Sequence, residues 1–289
     1  MTPPVLATPP AGLRAGAEAL GAGLGALLLA ADRLSASALP GAHGERRAGQ
    51  GEAFWQYRAA LPGDSAGGID WRRSGRSDTL YLREREAQSP RQALLWVDGG
   101  PGMGWASAPG LPVKRDRALL VVLAFGLALL KGGERVAALG QPARSGRAQA
   151  APLAEGLASC PVLDAAGWRA GQRVVLASDW LSADLDNLAA ALAAAAQAGV
   201  RGAILQVLDP AEAGFPFAGA LDFLDAEGRP AHRTRDAEGL RAAYLDRLAA
   251  RQQALAALAG AAGWQFSPAT TAEAPATALI WLANALAEA

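Results

Sequence analysis

The chain has 289 residues, of which 51% are apolar, enough to bury one sizeable core or one core with a small appendage, and this excludes a disordered chain. Twenty-seven basic side chains balance 27 acidic ones, so no global field selects nucleic acid or an anionic membrane as a partner. A single cysteine, Cys160, excludes an internal disulfide framework and is expected to sit in the fold as a small hydrophobe.

In chain order, "MTPPVLATPP" offers neither a basic n-region nor an apolar h-region, which points to a cytoplasmic protein, peripheral at most to the inner membrane. Residues 13–34 read as a helix. Its "GAGLG" has no preceding strand and falls inside the helical pattern, so it does not read as a dinucleotide loop. A loop rich in Gly, Pro and Arg follows, and then "TLYLRERE" alternates as a half-exposed strand, with Leu80 and Leu82 on one face and Tyr81 and Arg83 on the other. Asp64, Asp70, Arg72, Arg73 and Arg76 make either an interaction surface or an ion-pair network bracing the sheet, and Trp71 is expected to pack inside.

From residue 92 strands alternate with helices, the pattern of a parallel sheet covered on both faces. The expected strands are "QALLWV", "RVAALG", "QRVVLASD", "GAILQVLD" and a short "GWQFS". The expected helices span 113–131, the stretch after a Ser182 N-cap, 238–260 and 275–288. Residues 118–130, "ALLVVLAFGLALL", are too few for a bilayer, which needs about 20 apolar residues, and read as a helix buried at the centre of the domain. The expected organisation is an N-terminal helix with a small β extension over 1–90, followed by an α/β domain over 91–289. Asp98, Asp179 and Asp209 each stand at the end of a strand, the edge at which open parallel sheets bind ligands.

The loop "DGGPGMGW" follows the first of these strands. A phosphate cradle would need a Lys followed by Ser or Thr, and none is present. An oxyanion hole of a divergent α/β-hydrolase could use the Gly-Gly-Pro-Gly turn, but it would also need a Gly-x-Ser-x-Gly elbow and a late histidine. No elbow occurs, and the only histidines are His43 and His232, the latter in a polar stretch. That hydrolase is the enzyme alternative to a non-catalytic module.

Four stretches, "GQGEAFWQYR", "LPGDSAGGIDWRRSGRSDTLYLREREA" with its signature Pro62, Gly63, Asp64, Ile69, Asp70 and Trp71, "LASDWL" and "VLDPAEAGFPFAGALDFLDAEG", together resemble the domain-of-unknown-function 58 family. The resemblance implies a bacterial, von Willebrand factor A-like, doubly wound, mostly parallel sheet and association with a MoxR-type AAA+ ATPase. It also implies a metal-ion-dependent adhesion site of the form Asp-x-Ser-x-Ser, which falls on Asp98, Gly100 and Gly102 and so lacks both hydroxyl ligands. The middle-loop threonine has no counterpart in 132–172. Asp98 and Asp179 alone would hold Mg²⁺ weakly, so no cofactor is expected. Gly100 and Gly102 are equally read as positive-φ turn residues, and the aspartates as acceptors at helix starts. The expected interaction residues are Asp98, Asp179, Asp209 and a partner-facing Trp105, at a negatively charged edge that a basic partner residue would fill.

Overall fold

The computed structural model describes residues 11–39, 54–60, 69–75, 79–85, 91–159, 162–225 and 228–287, with backbone alone for 11–22, 54–58, 82–85 and 287. Helix α1 (Ala11–Ala38) includes "GAGLG" in mid-helix, as its lack of a preceding strand requires. Ala31 is fully buried among side chains of the α/β core, with Leu24, Leu27, Leu28 and Leu34 packed against it. This helix therefore groups with residues 91–289, and residues 44–90 form the second unit. That division differs from one at residue 90, because the apolar stripe of α1 finds its cover on the α/β core.

The second unit is a two-stranded antiparallel ribbon of β1 (Phe54–Ala59) and β2 (Tyr81–Arg85), with one helical turn, α2 (Trp71–Ser74), between them. Asp70 caps that turn through its carboxylate, which accepts the Arg73 N–H at 3.0 Å. Ser74 ties the turn to the ribbon by accepting the Tyr81 N–H at 2.9 Å, and the Arg73 guanidinium lies 5.2 Å from the Tyr81 ring centroid.

The other unit is a doubly wound α/β fold, as the alternating pattern predicts. Its elements run β3 (Gln92–Val97), α3 (Lys114–Lys131), β4 (Arg135–Ala138), α4 (Ala150–Ala158), β5 (Gln172–Ser178), α5 (Leu185–Gln197), β6 (Arg201–Leu208), α6 (Pro210–Gly214), β7 (Leu221–Leu224), β8 (Pro230–Thr234), α7 (Arg241–Ala261), β9 (Gln265–Thr270) and α8 (Pro275–Ala287). Five strands form one parallel sheet in the order β4-β3-β5-β6-β9. Successive strand residues face opposite cores: Leu95, Val97, Val175 and Leu205 meet α1, α3, α4 and α8, while Leu94, Trp96, Leu176 and Ile204 meet α5 and α7. Burial on both faces explains why the strands read as continuous apolar runs.

Helix α3 is the central covering helix that its all-round apolarity predicts, with every residue from Val121 to Ala128 buried. It ends where Gly133, at φ 83°, takes the left-handed conformation that lets the chain turn into β4. At Gly126 the helix approaches the sheet so closely that a methyl group would come within 2.8 Å of Leu95 and 2.7 Å of Leu153. Helix α5 is capped by Asp184, whose carboxylate accepts the Asp186 N–H at 2.9 Å, and not by Ser182, which lies too early in the turn. Helix α4 and the β7–β8 hairpin carry weak sequence signals, since α4 has nine residues interrupted by Pro152 and Gly156 and both strands are mostly exposed. Among the described residues no helix is long and apolar enough to cross a membrane.

Candidate functional site

From β3 the chain goes outward to β4 and then returns on the other side of β3 to form β5, so the β3–β5 gap is the switch point of the sheet. At a switch point the loops leave in opposite directions and open a crevice beyond the carboxyl ends of the strands. Asp98 and Asp179 follow those two strands, and Asp209 follows β6. The Asp98 carboxylate accepts the Gly100 N–H at 2.8 Å and the Ser178 hydroxyl at 2.6 Å, a bond that stitches β3 to β5. Asp209, fully buried, accepts the Ala211 N–H at 2.8 Å and the Ser107 N–H at 2.9 Å, so it both starts α6 and holds the glycine-rich loop. Its own N–H donates to Glu212 at 2.8 Å, which completes a capping box.

Between these carboxylates lies a cation supplied by the chain itself. Lys114, the first residue of α3 and 1% exposed, extends its ammonium to Asp179 at 2.8 Å and to Glu212 at 2.5 Å. Burial raises the Glu212 carboxyl above the ordinary carboxylate range, and the Lys114 ammonium opposes that rise without cancelling it. Asp179 is further fixed by accepting the Leu181 N–H at 3.1 Å, and its carbonyl by the fully buried Gln206 amide at 2.8 Å.

Two non-glycine residues with positive φ occur among the described residues, and both adjoin this charge cluster. Trp180, at φ 55°, follows Asp179; Phe215, at φ 46°, closes the helix that carries Glu212. Such conformations cost roughly 1–3 kcal/mol each and persist where the surroundings over-determine them. Trp180 is held by its indole N–H on the Leu205 carbonyl at 3.1 Å and by its ring 5.9 Å from Trp96. Phe215 is held in an aromatic cluster, 4.7 Å from Tyr244, 5.1 Å from Phe217 and 5.8 Å from Phe223. That cluster walls a crevice of about 1010 Å³ whose lining also includes Trp105, Asp179 and Glu212. The Tyr244 phenol is pushed up to about 12, first by burial and then by the Glu212 and Asp179 carboxylates.

The structure therefore brings Asp98, Asp179, Asp209 and the Trp105 loop to one edge, with Trp105 39% exposed. It corrects several expectations. Asp179 is already paired with Lys114, so the edge is not the bare acidic cluster expected. Gly100 and Gly102 do not have positive φ; Gly100 is extended, and a methyl there would come within 3.1 Å of the Asp98 carboxylate. Trp71, the first residue of the turn that Asp70 caps, is 63% exposed instead of packed. His232 stands exposed on β8 at the crevice, 6.5 Å from the Phe223 ring. Ile69, Asp70 and Trp71 belong to the second unit, while Pro62, Gly63, Asp64, Arg76, His43 and Cys160 lie outside the described residues.

Lys114, Ser178, Glu212 and Tyr244 escaped sequence reasoning. Glu212 had a legible signal, since "DPAE" places Pro at the first helical position and Glu three residues after a capping Asp. Lys114 had none, because "KRDR" looks like any solvated charge cluster.

The divalent cation that the resemblance implies does not fit these residues. Hard cations need several free oxygen ligands. Both Asp98 oxygens already accept hydrogen bonds, Gly100 and Gly102 bring no hydroxyl, and the Asp179 and Glu212 carboxylates grip an ammonium. Among the described residues, no group of three or more His, Cys, Asp or Glu is arranged to hold a metal ion.

Crystal structures of the conserved hypothetical protein BatB from Bacteroides thetaiotaomicron and of an aerotolerance-related membrane protein from Bacteroides fragilis resemble the chain with TM-scores of 0.40 and 0.41. Their identities to it are 16% and 14%, and each match covers 69% of this chain and 100% of the other. No curated protein matches the chain. The family model described as Protein of unknown function DUF58 matches residues 56–254, more than half of the sequence, and the chain belongs to that family.

Proposed function

We propose that the protein is a non-catalytic interaction module whose partner docks at the carboxyl edge of the parallel sheet, and that this partner is a MoxR-type AAA+ ATPase. One observation supports the module reading above the others: Lys114 and the acids around it are committed at the floor of the crevice, while its walls remain open and aromatic. Lys114, Asp179 and Glu212 form a closed set, and Asp98 and Asp209 are spent on backbone and hydroxyl donors. A general base or nucleophile needs a lone pair or proton free for a substrate. By contrast Trp105 and Leu224, at 39% and 59% exposure, present large apolar surface at the crevice, the kind of anchor that carries interface energy. The ATPase identity comes from the family resemblance.

Calorimetric titration of a purified MoxR-type ATPase into the full chain tests the reading. Trp105→Ala and Leu224→Ala should each weaken binding, while Arg169→Ala, at the opposite end of the sheet, should leave it unchanged, with circular dichroism the same for all three. Binding that survives both crevice substitutions, or turnover in a broad ester and peptide substrate screen, would overturn it.

A further inference from the structure

We propose that the crevice accepts a cationic side chain, arginine or lysine, flanked by an apolar residue on a peptide segment of the partner; this rests on the reading of the crevice as a docking site. The argument begins with charge. At the floor one ammonium faces two carboxylates, Asp179 at 2.8 Å and Glu212 at 2.5 Å, and can neutralise only one of them. The other acidic residues of the lining do not add to that surplus. Asp222 pairs with Arg233 at 2.9 Å and Asp225 with Arg229 at 2.9 Å. Arg247 also borders the crevice and is exposed to water, where screening weakens its reach to the floor. The buried end of the crevice thus keeps an excess of negative charge, and the Tyr244 phenol, held protonated partly by those same two carboxylates, registers it.

The walls select the kind of cation. Phe215, Phe217, Phe223 and Tyr244 form one contiguous aromatic cluster with ring centroids 4.7–5.8 Å apart, and Trp105 adds an exposed indole. Aromatic faces attract organic cations, arginine more often than lysine, and they bury the methylene stem that such side chains carry. A metal ion would gain nothing from these walls, and its oxygen ligands are already taken by Lys114. A volume of about 1010 Å³ lies at the upper end of the range for small-ligand sites and has room for a short stretch of peptide, not just one ion. A partner acidic side chain, by contrast, would meet Asp179 and Glu212 across a low-dielectric floor, where like charges repel strongly.

Three capped tetrapeptides test this on the full chain by calorimetry or saturation-transfer NMR: Ac-Leu-Arg-Leu-Phe-NH2 and its forms with citrulline or glutamate in place of arginine. The arginine peptide should bind about five- to tenfold more tightly than the citrulline peptide, as one cation–π contact and one partly screened ion pair imply. The glutamate peptide should bind more weakly still. Glu212→Gln keeps an oxygen for the Asp209 N–H and should remove most of the arginine preference. If that variant does not fold, raising the salt from 0.05 to 0.5 M on the wild type should weaken the arginine peptide alone. Equal binding of arginine and citrulline peptides, with both lost in Trp105→Ala, would overturn the cation while leaving the docking site standing. Preference for the glutamate peptide would also overturn it. Failure of all three to bind at millimolar concentration would overturn the site as well.

Discussion

The two ends of the parallel sheet carry opposite charge and handle it differently. At the amino end Arg135 and Arg201 open β4 and β6, and Arg173 stands at the second position of β5. Arg173 reaches Glu134 only at 3.6 Å. Burial lowers the Arg173 guanidinium, with Arg91 adding to the effect and Glu134 opposing it; burial also raises the Glu134 carboxyl against the pull of Arg173 and Arg91. At the carboxyl end the surplus is acidic, the contacts are at hydrogen-bond distance, and caps, strained residues and a hydroxyl stitch fix each carboxylate. At the amino end Arg135 and Arg201 are exposed, and Arg173, though buried, holds its acid only at 3.6 Å. Charge at the carboxyl end is built into place, and it is there that the proposed docking site lies.

The largest expected effect removes the frame that holds both ends. Leu123 is fully buried at the centre of α3, and Leu123→Asp would place an unpaired charge there at a cost of several kcal/mol, against a total stability of about 5–15 kcal/mol. Loss of the cooperative melt is expected; a folded, soluble variant would deny α3 its central role.

The next test separates the ends. Lys114→Met leaves Asp179 and Glu212 buried beside each other and should cost about 3–5 kcal/mol, whereas Arg173→Met should cost less, because its contact with Glu134 is 3.6 Å long and Arg91 still faces Glu134. Urea midpoints at pH 7 measure both, and equal losses would erase the contrast. The smaller Lys114→Ala sharpens it: with the ammonium gone, millimolar Mg²⁺ should raise the melting temperature of this variant and not of the wild type, since ligand binding to the folded state alone stabilises it.

The smallest effect is spectroscopic. In a phenol titration at 295 nm, the component lost in Tyr244→Phe should have its midpoint near pH 12. The folded state keeps that proton after the unfolded chain releases its own at about pH 10, so stability should fall as pH rises through this window. Glu212→Gln removes one of the two carboxylates behind the shift and should lower the midpoint; an ordinary tyrosine midpoint in the wild type would show that the carboxyl end holds no surplus charge.

How much of this was legible follows from how local each cause is. The strands β3, β5 and β6, the helices α3 and α7 and the three strand-end aspartates could be read from periodicity, since continuous apolar runs and alternating elements are properties of short windows. The pairing of α1 with the core, the exposure of Trp71 and the cap at Asp184 were not, because each depends on what a neighbouring element covers or on one turn's dihedral angles. The sequence by itself determined a parallel α/β fold with acidic strand ends and a glycine loop lacking hydroxyl ligands. That Asp179, together with Glu212, closes on Lys114, 65 and 98 residues away along the chain, is settled only in three dimensions. A buried ion pair is set by three-dimensional proximity and desolvation, and neither quantity is encoded within one stretch of chain.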